Sequence, residues 1–511
     1  MNEKKIRILL LAVFMFQAIQ LVYWIHADAR PPSWDQAWHA MISITQYNYF
    51  TGHGMLSTVE AQKVYPILSF VKNFYPPGYH TTTMPLYLLF GLSYDTAVAT
   101  NLAYLCILVL SSYAIGRKLK GQEAGILTAL IASTVPVYSI LMRDYLIDFP
   151  LAAMVAAGLA TLLYSENFAD KRYTLLFGAV SGLATLIKWN YILYIWAPAI
   201  LSFIILLKDT VLPTKDYGAL KPAAASILLA LMIASLWYTP LQLSKTIPLV
   251  VDAAFEQGRV EGEPTAFTLK GATYYLSVIL RDYSLLYFLL TSAGIALLAG
   301  NPARISDKRA LLLVCVTVIA IYLSVTFLWN KNNRYAAPIY APLAALAAAG
   351  LSTLKDANGR RIKKAVAVLV IVHALAYNSS VIDSRIDYGG LRILDFKGNY
   401  PSHADTDIKS LLDVMNSSSR GEPFTACVIA EAKFVNDINL PYYAFRDGYP
   451  VKYMIGNGCD SLAFDYAVAG PIEETWRTQL FKNSEATLNG NIRRFSEVYS
   501  SGEVKVYKKI S

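Results

Sequence analysis

The chain has 511 residues, 55% hydrophobic and only 16% charged, with 45 basic against 36 acidic side chains and a net charge of +9. Soluble domains carry roughly a quarter charged residues, so this composition excludes an ordinary soluble protein. The apolar residues form long uncharged blocks, which also excludes a transmembrane barrel with its alternating strands, and the basic excess sits in loops between blocks, which argues against a nucleic-acid partner.

In chain order, apolar runs over 8–26, 94–115, 122–141, 147–164, 174–187, 190–207, 222–240, 284–300, 310–328, 335–352 and 365–382 read as about eleven membrane-spanning helices. The run at 174–187 is short for a crossing and reads as tilted, or as one hairpin with its successor. The first run has a basic start and ends on Ala27-Asp28-Ala29, as a signal peptide does. It exceeds the usual ~7–15 apolar residues of such a peptide, so it reads as a retained helix. Lys and Arg set the orientation. Lys4, Lys5 and Arg7, then Arg117, Lys118 and Lys120, then Lys171 and Arg172, then Lys208, Lys215 and Lys221, then Arg304, Lys308 and Arg309, then Lys355 to Lys364 all fall on one side. That side is cytoplasmic in a multi-pass plasma or inner-membrane protein, with the N-terminus inside and the C-terminus outside.

Two divisions follow: a membrane domain over 1–382 and an extracytoplasmic α/β domain over 383–511. Within the first, the external loop 27–93 is rich in aromatics, and 34–50 reads as a short interfacial helix. The tail carries strand-like runs at 425–430, 451–455, 464–468 and 504–508, with a helix near 405–415. A Cys427–Cys459 bridge is left open by their spacing. Residues 241–283 hold Asp252, Glu256, Arg259, Glu261 and Glu263, and read as a solvated loop or as a lid.

Five groups of polar residues all map to the outer side. Pro31-Pro32-Ser33-Trp34-Asp35-Gln36 follows the first helix, with Ser33 placed to cap the next helix, Asp35 in its first turn, and His39 one turn on. Phe74-Tyr75-Pro76-Pro77-Gly78-Tyr79-His80 ends the same loop in a rigid turn and offers Tyr75, Tyr79 and His80 as a wall beside a site. Arg143-Asp144-Tyr145-Leu146-Ile147-Asp148 precedes an apolar helix. Its two acids share a face if the segment is helical, and Arg143 can pair with either. A charge at the mouth of an apolar helix, as at Asp148, is costly and marks a functional position. Lys188 and the Arg334-Tyr335 pair supply cations suited to a lipid phosphate, although each alone reads as an interfacial anchor. Acids and cations gathered on one side fit an active site at the outer interface rather than a transport path at the midplane.

The chain resembles the C-type membrane glycosyltransferases, in the branch of the protein O-mannosyltransferases and the aminoarabinose lipid A transferases. The resemblance rests on Trp34-Asp35, Tyr75-Pro76-Pro77, the Arg143…Leu146…Asp148…Pro150 pattern, Lys188, and Arg334-Tyr335…Pro338, in this order along residues 1–350. It implies an α-helical polytopic fold with a C-terminal extracytoplasmic domain. It also implies a polyprenyl-phosphate-linked sugar donor and a protein, lipid or glycan acceptor on the outer face of the membrane. Asp35 and Asp148 take the places of the family's catalytic acids. Lys188, Arg334 and Arg143 are then expected at the donor phosphate. Trp34, His39, Tyr75, Tyr79, His80, Asp144 and Tyr335 are expected at the substrates. Many relatives carry two adjacent acids in the first loop, whereas Gln36 follows Asp35 here. No metal or other cofactor is therefore expected. Asp35 is the expected general base for an acceptor hydroxyl, in a direct displacement that inverts the anomeric centre. Asp148 is expected to orient the acceptor or to stabilise oxocarbenium-like charge. The competing readings are a lipid-linked sugar transporter, a lipid-linked glycan ligase or polymerase, and a membrane scaffold.

Overall fold

The structure is a computed structural model that describes residues 2–52, 74–300, 306–379, 385–388, 391–395, 401, 408–428, 431–432, 435–436, 439–455, 464–469, 481–482, 485–488, 491–501 and 504–510. The first part is helical. Helix α1 (Glu3–Ala27) is followed by α2 (Trp34–Thr51), α3 (Gly78–Phe90) and α4 (Asn101–Lys120). Then come α5 (Gln122–Ser133), α6 (Pro136–Arg143), α7 (Asp148–Tyr164), α8 (Lys171–Thr185), α9 (Tyr191–Leu206), α10 (Lys221–Ala234) and α11 (Pro240–Val251). Helices α12 (Leu269–Gly300), α13 (Lys308–Phe327), α14 (Tyr340–Leu351) and α15 (Ala357–Asn378) complete the set.

Among the described residues six helices are long and apolar enough to cross a membrane, or seven if α5 and α6, bent by 57°, form one broken span. The count of about eleven is not established on these criteria. Helix α7, with 17 residues, is apolar but falls below the 18-residue length required, and α8 has only 15 residues. The run at 335–352 divides into a 3-10 turn (Asn333–Ile339) and the 12-residue α14. Helices α7 and α14 are interior, buried along almost their whole length. An interior helix draws its stability from neighbouring helices and need not match the bilayer. Small residues permit the close crossings. Gly350 lies against the backbone of Gly294 in α12, where a side chain on either has no space.

The segment 241–283, read from sequence as a loop, is largely helical. After α11 the chain continues through a π-turn at 252–256 and a short helix at 257–260, then enters α12. The backbone N–H groups of Trp329 and Asn330 both donate to the Ala254 carbonyl, so the segment is docked rather than free. Helix α12 breaks at Ser284, whose φ of 65° and ψ of 155° belong to a region natural only to glycine.

In the tail, β1 (Arg385–Tyr388) and β2 (Leu391–Asp395) form an antiparallel pair. Helix α16 (Ile408–Ser418) then precedes β3 (Phe424–Val428), α17 (Asn439–Asp447), β4 (Val451–Ile455), β5 (Tyr466–Ala469), β6 (Phe481–Lys482), β7 (Glu485–Leu488), β8 (Asn491–Ser501) and β9 (Val504–Lys509). The last seven strands make one mixed sheet in the order β4-β3-β5-β9-β8-β7-β6. Four of its strands coincide with the runs read from sequence; β8, the longest, has no counterpart there. Cys427 in β3 is disulfide-bonded, while Cys106 and Cys315 are free thiols. Cys459, the partner considered from sequence, lies outside the described residues. Helix α17 packs on α2, which brings the sheet domain against the helix that carries Asp35.

Candidate active site

Three chain segments converge on Arg334. Its Nη2 donates to Asp35 Oδ2 at 2.6 Å, and its Nη1 lies 3.7 Å from Asp148 Oδ2. The other oxygen of Asp148 accepts from Lys188 Nζ at 2.8 Å. Lys188 also sits over the Tyr335 ring, 4.8 Å from its centre. Two carboxylates and two cations thus form one continuous network, in which Asp148 and Lys188 are almost fully buried and Asp35 is partly open. Burial works to lower the affinity of Arg334 for its proton. Asp148 and Asp35 outweigh this and raise it, so the guanidinium stays charged.

Local sequence explains each placement. Asp35 opens α2, where the helix dipole favours an acid. Ser33 stands at the N-cap position but makes no cap: its hydroxyl donates to Gln36 Oε1 at 3.0 Å instead. Asp148 opens α7 in the same way. Lys188 is held by the Pro76-Pro77-Gly78 turn. The Gly78 N–H donates to the Leu186 carbonyl at 2.8 Å, and a Cβ on Gly78 would lie 2.6 Å from that oxygen. The turn read from sequence as a wall therefore clamps the strand of chain that presents Lys188. Arg334 is fixed by Asn332, whose Oδ1 accepts from its backbone N–H at 3.1 Å and its Nε at 3.2 Å.

The network borders a cleft of about 510 Å³ lined by Ser33, Trp34, Asp35, Gln36, Asp144, Arg281, Asp282, Asn333, Arg334 and, on its apolar side, Val137, Ile140, Leu141, Leu146 and Tyr377. A second, much smaller cavity lies against Phe74, Tyr75, Lys188, Trp189 and Tyr335. Trp34, Asp35, Asp144 and Arg334 from the sequence reading meet at the large cleft, and Tyr75, Lys188 and Tyr335 at the small one.

Of the expected site residues, Arg143, Tyr79, His39 and His80 line neither cavity. Asp144 does not share a helix face with Asp148, because the backbone is extended at Asp144 and α6 ends there. Burial raises the Asp144 carboxyl, opposed by a hydrogen bond from Gln36 and by Arg334, Arg30 and Arg143. Gln36 itself lines the cleft and accepts from the Ser33 hydroxyl. Arg143 pairs with neither Asp144 nor Asp148. Its Nη2 donates to Asn378 Oδ1 at 2.5 Å, and its guanidinium lies 3.8 Å from the centre of the Trp24 ring. Tyr79 is wholly buried and donates to Asn101 Oδ1 at 2.9 Å, away from both cavities. His39 Nδ1 and His80 Nε2 share one proton at 3.0 Å, and the His39 ring stands edge-on to Tyr75 at 4.7 Å. Burial pushes His39 down to about 3, helped by Lys188 and Arg334 and opposed by Asp148, so it is neutral at physiological pH. His80 is lowered too, by burial and by His39.

Two charged lining residues lay outside the groups read from sequence, whereas Trp189 stands beside Lys188 in one of them. Arg281 and Asp282 lay inside the presumed loop, yet Arg281-Asp282-Tyr283 reproduces Arg143-Asp144-Tyr145 just ahead of an apolar run. Trp189 lines the small cavity with its indole N–H buried and unbonded among the described residues.

Residues 76–238 match the family model for dolichyl-phosphate-mannose-protein mannosyltransferases. No curated protein matches the chain in sequence. Among solved structures, ArnT from Cupriavidus metallidurans bound to undecaprenyl phosphate is 16% identical, with a TM-score of 0.57 over 96% of this chain and 97% of that one. The Archaeoglobus fulgidus oligosaccharyltransferase tethered to an acceptor peptide is 13% identical, with a TM-score of 0.56 over 92% of this chain and 69% of that one. The resemblance read from Asp35, Asp148, Lys188 and Arg334 is thus accompanied by a family-model match at 76–238, which contains Asp148 and Lys188, and by a likeness in fold to these two solved structures along nearly the whole chain.

Proposed function

We propose that this protein transfers a sugar from a polyprenyl-phosphate-linked donor to a protein, lipid or glycan acceptor at the outer surface of the membrane. The observation that carries this reading is the joining of Asp35 and Asp148 through Arg334 at the mouth of an amphipathic cleft. The ArnT structure with undecaprenyl phosphate supports the donor class, and the oligosaccharyltransferase structure with its tethered acceptor peptide supports a peptide among the acceptor classes. The basic loops support eleven crossings, a cytoplasmic N-terminus and an extracytoplasmic tail.

Asp35 is the base in this proposal. Arg334 holds its Oδ2, while Oδ1 makes no hydrogen bond among the described residues, and Asp35 lines the cleft. An acceptor hydroxyl gives its proton to Oδ1 as its oxygen bonds to the anomeric carbon. The bond from that carbon to the phosphate oxygen breaks, and the oxygen leaves with the electron pair as lipid phosphate. Attack opposite the leaving group inverts the anomeric centre. Asp148 is already engaged by Lys188 and Arg334, so its role is to position the two cations. The test uses purified protein, a labelled polyprenyl-phosphate sugar and a membrane extract as the source of acceptor. Release of free polyprenyl phosphate with an inverted product is expected; an untouched donor, or a product with retained configuration, contradicts the proposal.

A further inference from the structure

No residue of α3 lines either cavity, yet this helix holds three of the segments that carry the charge network. Gly78 holds the Leu186 carbonyl, and with it the approach to Lys188. Tyr79 donates to Asn101 Oδ1, and the Asn101 amide donates in turn to the carbonyls of Met142 and Asp144 at 2.9 and 3.1 Å. The hydroxyls of Thr83 and Tyr145 share a hydrogen bond of 2.6 Å. Tyr79, through Asn101, and Thr83 thus grip the joint between α6 and α7, just ahead of Asp148. On the other side, His80 meets His39 at 3.0 Å and the Tyr87 hydroxyl meets that of Ser43 at 2.8 Å. Asp35, His39 and Ser43 recur every fourth residue, so these contacts continue the face of α2 that starts at Asp35.

Tyr79, His80, Thr83, Tyr87, Tyr145 and Ser43 are all buried. Apolar packing between helices tolerates a small slide, whereas a hydrogen bond weakens steeply off its direction and leaves buried polar atoms unpaired when it breaks. The contacts of α3 therefore fix α2, the α6–α7 joint and the Lys188 segment relative to one another. The histidine contact joins two uncharged rings. His39 is faced by Tyr75 and, from the network, by Asp148, Lys188 and Arg334. His80 is faced by the Tyr79 and Tyr145 rings and the Pro76 backbone. A base misplaced by about 1 Å loses about a hundredfold in rate, so a helix that touches no substrate can still govern transfer.

We propose that α3 is the positioning element of the site: His80 and Thr83, without contact to substrate, set Asp35 and Asp148 in place against Lys188. This inference rests on the reading of Asp35 as the base. The experiment follows single-turnover transfer by the full-length protein in nanodiscs, with a labelled undecaprenyl-phosphate sugar and a membrane extract as the source of acceptor. The half-saturating donor concentration and the unfolding midpoint are measured alongside. His80→Leu and Thr83→Val are expected to lower the rate at saturating donor by ~10- to 100-fold, with half-saturation within about threefold of wild type. His80→Gln, which keeps a polar atom near the Nε2 position, should regain much of the rate. With Asp35→Asn already present, His80→Leu should lower the midpoint as it does alone but slow transfer by no more than about threefold further, because the base it positions is gone. Folded His80→Leu and Thr83→Val proteins that transfer at the wild-type rate would overturn the proposal. So would a loss seen only in donor affinity, or an equal loss of rate with and without Asp35. Thr83→Val decides the matter if His80→Leu does not fold. An Asp35→Asn protein at the wild-type rate removes the base reading, and a wild type that leaves the donor untouched removes the donor reading; either takes this inference with it.

Discussion

Arg143 and Lys188 began as equals: two basic residues on the same side of the membrane, each next to an apolar helix, each suited to a donor phosphate. Both are buried, at 8% and 6% exposure, yet their surroundings differ. Lys188 meets a carboxylate at 2.8 Å in the network that holds Asp35. Arg143 meets an indole face and a side-chain amide, and ties α6 to α1 and α15. Depth in the bilayer is the same kind of information for both and does not separate them. The partner does. A buried cation paired with an acid belongs to a charge network that function can use, even when it also sits over a ring as Lys188 does, while one whose partners are only an aromatic face and an amide holds helices together.

The comparison breaks most visibly at Lys188. Removing one partner of a buried ion pair leaves the other uncompensated, at a cost of about 3–5 kcal/mol. Lys188→Met is therefore expected to lower the unfolding midpoint in detergent sharply and to abolish transfer. The double variant with Asp148→Asn should regain much of the midpoint but none of the activity. If the double variant were no more stable than the single, the pair would not be the coupled unit described. Arg143→Gln is expected to cost less, on the order of 2 kcal/mol for a desolvated cation–π contact, with turnover changed by under about threefold. A large fall in donor affinity for Arg143→Gln, with stability intact, would return it to the phosphate site.

The histidine pair gives a pH test of the same contrast between interior and site. His39 is held neutral by burial, with a folded-state value of about 3 against 6.5 for the free side chain. The unfolded chain then binds more protons than the folded one between these values. Stability from this group is present above pH ~6.5 and is lost as pH falls from there toward 3. The unfolding midpoint of wild type should drop across that window, and His39→Gln should flatten the drop. The smallest effect is at Ser33. A true N-cap is worth ~1 kcal/mol, but this hydroxyl is bonded to Gln36, so Ser33→Ala should shift the midpoint by less than that. A full cap-sized loss would show that the hydroxyl caps α2 after all.

Much of this was legible in the sequence because charge is scarce in an apolar chain. Asp35, Asp148, Lys188 and Arg334 stood out for that reason, and all four come together. What hydropathy does not encode is which helix lies beside which. The periodicity that marks α1 and α15 as apolar does not say that Trp24 and Asn378 flank Arg143. Backbone breaks were equally hidden: the extended residue at Asp144 separates two acids that a continuous helix would have aligned. Arg281 was missed because its segment is acidic and mixed in polarity, although its Arg-Asp-Tyr triplet repeats the one at 143–145. The count of about eleven spans is not established at the interior helices α7 and α14, which are buried against protein and shorter than a full crossing.

The central claim is that Asp35, oriented by Arg334, takes the acceptor proton. Its most direct test is the single-turnover rate of sugar transfer by Asp35→Asn with donor bound at saturation, alongside donor affinity and the unfolding midpoint. The expected result is a rate lower by ~10²–10⁴-fold, with donor affinity within about threefold of wild type and the fold intact. A folded Asp35→Asn protein that transfers at the wild-type rate would contradict the assignment.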